Sequence, residues 1–181
     1  MDKPLHHHTS SPPEKPVAAT APDNADCVSA EMQFHLGLKF AGSDGTVPDF
    51  AKAAEWYRKA AEQNHSQAQL NLGMMYADGQ GVARDVAQSR VWYHKAAQQG
   101  EAGAQFNLGN SCHHASFRQV PAEAAESRIE AYKWFRLAAA QGYQGSELAH
   151  AILTLNMTRA DIVAGKRRVA AFKIGKPKPG R

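Results

Sequence analysis

A block of thirty-six residues, His65 to Gly100, recurs along this chain, and the recurrence constrains the fold more than any single residue. One period upstream, Phe34, Leu36, Gly37, Phe40, Gly45, Asp49, Trp56, Tyr57, Ala60 and Ala61 stand in the places of Leu70, Leu72, Gly73, Tyr76, Gly81, Asp85, Trp92, Tyr93, Ala96 and Ala97. One period downstream, Phe106, Leu108 and Gly109 fall in register. After a six-residue insertion, Trp134, Phe135, Ala138, Ala139 and Gly142 restore the second half. Self-similarity at this period predicts a solenoid of stacked units, none of which can bury its apolar face alone.

Each unit reads as helix, turn, helix. Ala68, Leu70, Leu72, Met75 and Tyr76 recur at three- and four-residue steps, the spacing of one helical face. Asp78-Gly79-Gln80-Gly81 interrupts that face, because paired glycines favour positive φ and weaken a helix. From Arg84 the pattern resumes through Val86, Ser89, Arg90, Trp92, Tyr93, Ala96 and Ala97, and Gly100 suits the left-handed position that closes a helix. Gly73 costs about 1 kcal/mol relative to alanine inside a helix, so its recurrence predicts close approach of a neighbour. Ala96 and Ala97 are the expected matching small surface, with Trp92 and Tyr93 filling the space between successive pairs.

Ala68, Leu72, Gly73 and Tyr76, then Gly79, Gly81, Val82 and Asp85, then Trp92, Tyr93, Lys95, Ala96, Ala97 and Gly100 together resemble the Sel1-like repeat, a relative of the tetratricopeptide repeat. The resemblance covers residues 30–172. It implies an all-α, right-handed superhelical solenoid of antiparallel helix pairs, here three repeats plus a partial capping repeat. It also implies a non-enzymatic scaffold or adaptor for protein partners.

Charge is unevenly distributed. The chain carries a net +4. Residues 1–29 contribute −2 and residues 159–181 contribute +7, so the middle is close to neutral. Residues 1–29 hold Pro4, Pro12, Pro13, Pro16 and Pro22 and no substantial apolar run, a composition that predicts a disordered tail. Residues 173–181, rich in Lys, Pro and Gly, read as a second, basic tail. No stretch has the apolar core of a signal peptide or the length of a membrane span, so the expected location is cytoplasmic. His6, His7 and His8 read as a polar tract of the tail.

The first repeat spans residues 30–64, with its second helix expected near Pro48. The third departs: Cys112 replaces the expected tyrosine, His113 and His114 follow, and ASFRQVPAEAAESR replaces the glycine turn. Pro121, Glu123 and Glu126 suit a helix start there. The last unit matches through Ser146, Leu148 and Ala151. It then starts a closing helix at Thr158, with Asp161 in the capping-box position.

No catalytic motif is present among the acyl-transfer, phosphate-cradling or zinc-protease patterns. Asp49 and Asp85 read as helix-start acids. Cys112, His113 and His114 form the one cluster of ligand or nucleophile types, but adjacent helical side chains diverge by ~100°, so no metal and no cofactor is expected. Cys112 reads as a buried thiol in the tyrosine's place. With Cys27 the only other cysteine, no disulfide framework is supported.

Function therefore falls to surfaces. By analogy with tetratricopeptide stacking, the first helices line a concave groove bearing Glu31, Phe34, Leu38, Gln67, Leu70, Met74, Asp78, Phe106, Asn110, His113 and His114. Such a row suits a peptide or protein partner. The simpler alternative is that Phe34, Leu70 and Phe106 pack between repeats. A second reading assigns nucleic acid or another acidic partner to the basic end: Lys166, Arg167, Arg168, Lys173, Lys176, Lys178 and Arg181. A solvated terminus is the plainer account, since Phe172 is the lone aromatic among these charges.

Overall fold

The computed structural model describes residues 28–174. Among these it contains eight helices and no strand: α1 (Ala30–Phe40), α2 (Phe50–Glu62), α3 (Ser66–Asp78), α4 (Val86–Gln98), α5 (Ala102–Ser116), α6 (Pro121–Ala140), α7 (Ser146–Thr154) and α8 (Arg159–Ala171). The tail expected over residues 1–29, with His6, His7, His8 and Cys27, lies outside the described residues save Val28 and Ser29. So do Lys176, Lys178 and Arg181 of the basic end.

Local chemistry sets the helix boundaries. The Asp49 and Asp85 carboxylates cap α2 and α4, accepting from the Lys52 amide at 3.1 Å and the Ala87 and Gln88 amides at 2.9 and 3.0 Å. Because Asp49 takes the cap, α2 begins at Phe50, two residues after Pro48, near which it was expected to start. His65 caps α3 through Nδ1, which accepts from the Ala68 amide at 3.2 Å. Thr158 and Asp161 close the expected capping box on α8. At the other end of each repeat, Asn64, Gly100 and Gly142 hold equivalent positions at φ 68°, 95° and 74°. Asparagine is the side-chain-bearing residue best suited to that left-handed region.

Consecutive helices pack as antiparallel pairs, α1 with α2, α3 with α4 and α5 with α6, and each pair stacks on the next through α2–α3 and α4–α5. The helical glycines are where the pairs lock. A Cβ on Gly73 would sit 2.7 Å from the Tyr93 ring. Gly37 meets Tyr57 at 2.5 Å and Gly109 meets Phe135 at 2.6 Å in the same way. The surface that matches each glycine is thus an aromatic ring laid flat, and not Ala96 and Ala97. Those alanines are fully buried instead in the core shared with Ala104 and Leu108 of the next repeat. Trp92 joins the core of the first two repeats and Tyr93 that of the second and third, so adjacent aromatics on one helix stitch both sides.

The array closes differently from the repeat it continues. α7 and α8 both pack against α6. A Cβ on Gly165 of α8 would fall 2.5 Å from the Tyr132 ring, repeating the glycine–aromatic lock with a helix from the wrong half of the unit. Arg168 fastens α8 to α6 through Glu126 at 2.6 Å and through Glu130, and Phe172 adds an edge contact with Trp134. Both edges of the last complete pair are thereby used, which suits a cap.

A second ladder is polar. Gln33, Gln69 and Gln105 recur at the repeat period and are almost completely buried. Each accepts from an amide one repeat-half away: Gln63 at 2.8 Å, Gln99 at 2.8 Å and Gln141 at 2.9 Å. Gln69 and Gln105 also donate back to the Ala61 and Ala97 carbonyls at 3.0 and 3.2 Å, near where the preceding helix ends. These carbonyls also accept from the Asn64 and Gly100 amides of the closing turn at 3.0 and 3.1 Å, so the buried glutamine amide fills a second lone pair of each.

Candidate functional site

The two junctions between repeats hold equivalent cavities of very different size. Between the first and second repeats, Ala41, Phe50, Tyr57, Asn71, Met74, Met75 and Gln80 leave about 140 Å³. Between the second and third, about 760 Å³ is open, lined on one side by Asp78, Arg84, Val86 and Arg90 and on the other by Asn107, Asn110, Ser111, His114 and Arg118. Period-related positions explain much of the difference. Val86 replaces Phe50, Asn110 replaces Met74 and Ser111 replaces Met75, so three space-filling apolar side chains give way to shorter or polar ones.

The turns account for the rest. At φ 67°, Gly81 lies so near the start of α2 that a Cβ there would fall 2.1 Å from the Phe50 carbonyl oxygen. Only glycine permits that approach, and it closes the first junction. One period on stands Phe117, which cannot make the same approach to α4 and is 70% exposed. The inserted residues are absorbed by the helices, α5 running to fifteen residues and α6 to twenty against thirteen each for α3 and α4. As the insertion predicted, Pro121 begins α6.

One face of each helix supplies the pocket. Asn107, Asn110, Ser111 and His114 follow three- and four-residue steps on α5, and Val86, Ser89, Arg90 and Tyr93 do so on α4. Arg84, Arg90 and Arg118 occupy positions that hold Pro48, Ala54 and Val82 one period earlier. Arg84 Nε donates to the Ala77 carbonyl at 2.9 Å, which fixes the side chain and leaves its terminal nitrogens available. Arg90 lies close enough to Cys112 for its positive charge to act on the thiol. Among the described residues no carboxylate forms an ion pair with any of the three. Asp78 is the one acid in the lining.

Of the residues expected to form a groove, Asp78, Asn110 and His114 line the larger pocket and Met74 the smaller. Phe34 is buried, stacked on His65 at 4.5 Å and tilted against Tyr57. Leu70 reaches the next repeat at Gly103, and Phe106 packs against Phe135 and Tyr143. These three apolar residues sit in the junctions. Leu38 packs partly buried on the first core, while Gln67 is exposed. Glu31 bridges His35 and His65 at 3.0 Å, and hydrogen bonding from His65 holds its carboxyl below the usual range. His113 turns away from the pocket, its ring edge-on to Phe117 at 4.9 Å.

Cys112 is buried, and burial pushes its thiol up, opposite to the shift that would make a nucleophile. No three His, Cys, Asp or Glu side chains among the described residues are grouped to hold a metal. In the basic end, Lys166, Arg167 and Lys173 are exposed, but Arg168 is committed to Glu126 and Glu130. Nor is any described helix long and apolar enough to cross a membrane.

The arginines escaped the sequence reading because that reading sought agreement between repeats. Their signal is disagreement: charged residues at positions that are otherwise Pro, Ala or Val.

Comparison with known proteins agrees with this architecture. The Sel1 repeat model matches residues 30–65, 66–101 and 102–143. A crystal structure of a protective antigen of uropathogenic Escherichia coli strains, displaying an SLR fold, superposes with a TM-score of 0.69 at 26% identity. That match covers 82% of this chain and 30% of the antigen, so this chain spans under a third of that protein's length. A Sel1 repeat protein from Oxalobacter formigenes matches with a TM-score of 0.59 at 34% identity, over 71% of this chain and 92% of that one. No curated protein matches.

Proposed function

Because the chain belongs to the Sel1 repeat family, we propose that it is a non-enzymatic scaffold that holds a peptide or protein partner along its first-helix row, α1, α3 and α5. The observation that carries this reading is the enlarged junction between the second and third repeats. There the sequence gives up three apolar fillers and a glycine closure, at some cost to burial, and lines the resulting space with polar side chains. Packing alone favours the tighter first junction. A recess lined with hydrogen-bonding groups suits capture of another chain's side chains.

Affinity capture with the intact protein, at low and high salt, tests the reading beside an Asn107→Ala/Asn110→Ala/Ser111→Ala variant of the α5 wall and a Lys59→Ala/Lys95→Ala control on the second helices. A protein retained by the wild type and the control, and lost in the groove variant, supports it. A protein captured equally well by the groove variant refutes it. Nucleic acid alone, released by salt, would move function to the basic end.

A further inference from the structure

We infer that the pocket between the second and third repeats is an anion-recognition site for carboxylate side chains of an acidic peptide segment, with Arg84, Arg90 and Arg118 as its recognition elements. The inference rests on the scaffold reading and specifies the partner's chemistry.

Three guanidinium groups and His114 border one cavity of about 760 Å³ against the single carboxylate of Asp78. Elsewhere the chain pairs arginines when they are needed to hold helices together. Arg168 binds Glu126 and Glu130, Arg136 reaches Glu147 at 3.6 Å, and Arg58 donates to the Tyr76 hydroxyl at 2.9 Å. The pocket arginines serve no such contact with a carboxylate among the described residues. Like charges gathered in a recess repel one another, so the arrangement gains most when a ligand's negative charge enters.

Residue type narrows the ligand. Guanidinium presents a planar fork that pairs with a carboxylate through two parallel hydrogen bonds. Asn107, Asn110 and Ser111 on the opposite wall offer donors and acceptors suited to a peptide backbone. Phosphate fits the same fork, but the lining's tyrosine, Tyr93, is buried against Gly73, which leaves the His114 imidazole as its single exposed ring for stacking a base. That favours an acidic peptide over nucleic acid.

The test uses the full-length chain and fluorescence anisotropy with three labelled probes: octaglutamate, octaglutamine and an oligothymidylate of eight nucleotides. Octaglutamate is expected to bind and octaglutamine not to. Arg118→Gln, a change at an exposed turn, should weaken octaglutamate by about tenfold, and Arg90→Gln/Arg118→Gln further. Lys166→Gln/Arg167→Gln, which removes equal charge from exposed α8, should change it less than about twofold. Equal loss in the α8 variant, no loss in either arginine variant, or tighter binding of oligothymidylate would overturn the assignment. Circular dichroism identifies a variant that has lost its fold, and Arg118→Gln, away from Cys112, is the decisive one. Partner capture separates the two claims. If the Asn107/Asn110/Ser111 variant loses its partner while the arginine variants bind octaglutamate normally, the scaffold reading stands and this one falls.

Discussion

Replacing Gly73 with alanine sets two physical effects of known sign against each other. Gly73 lies in the interior of α3, where alanine is favoured by about 1 kcal/mol on intrinsic propensity. Helix propensity alone therefore predicts a more stable protein. Against this, the new Cβ would fall 2.7 Å from both Cδ1 and Cε1 of Tyr93, well inside contact distance. The ring cannot swing away freely. Tyr93 is 6% exposed and packed in the core that includes Ala96, Ala97 and Leu108. Forcing a methyl into such a site costs about 1–3 kcal/mol, so Gly73→Ala should be destabilising by roughly 1 kcal/mol net. Urea denaturation followed by circular dichroism at 222 nm reads the change. Exposed Gln67→Ala compared with Gln67→Gly on the same helix isolates the glycine-to-alanine propensity. A cycle with Tyr93→Leu isolates the clash: Gly73→Ala should cost less once the ring is gone. A higher urea midpoint for Gly73→Ala in the wild-type background, matching the propensity gain, would refute the ring-on-glycine account of how the pairs lock.

Gln69→Leu keeps the volume but removes one of two partners from the Ala61 carbonyl, which keeps the Asn64 amide, and from the Gln99 side-chain amide, which keeps Asn64 Oδ1, so it should lower stability by about 1–2 kcal/mol in the same urea assay. Cys112, whose thiol burial pushes up, should resist iodoacetamide in the native Cys27→Ser protein and react fully only on unfolding, as mass spectrometry would show. Glu130 is opposed by burial, yet Lys133 and Arg168 hold its carboxyl below the ordinary value. A depressed folded-state pKa gives stability that is present above the unfolded value and lost as pH falls through the folded one. The α8 attachment should therefore weaken as acidification passes below the normal glutamate range, seen as lower amide protection factors over Arg159–Ala171 once the slower intrinsic exchange at acid pH is divided out, and Arg168→Met should remove most of that dependence.

Much of the fold was legible because its causes are periodic. Apolar spacing gave the helices, and Asp49, Asp85, Thr158 and Asp161 gave their starts, since a cap depends only on residues within one turn. What the glycines met was not legible. Gly73 announces that something approaches closely, but both the Tyr93 ring and the Ala96–Ala97 surface recur with the same period, so periodicity could not choose between them. The glutamines recur too. They were overlooked because hydrophobic patterning treats a polar residue as outward-facing, whereas Gln33, Gln69 and Gln105 are buried to satisfy neighbouring polar groups. The docking of α8 on α6 depends on Gly165 and Arg168 meeting Tyr132, Glu126 and Glu130 across an irregular connection, which no local signal encodes.

The candidate site required the opposite way of reading. A repeat array fixes most positions by the demand that each unit fit the next, so a residue that obeys the period is explained by stacking alone. A residue that breaks the period at a junction is not. Arg84, Arg90 and Arg118 break it together, from three different elements, around one cavity, and Phe117 breaks it where glycine would close that cavity. Independent drift of exposed positions scatters charges over a surface. Convergence of three like charges on one recess, beside the loss of the turn that sealed its counterpart, is why the proposed recognition site lies at the third repeat rather than in the regular pair before it.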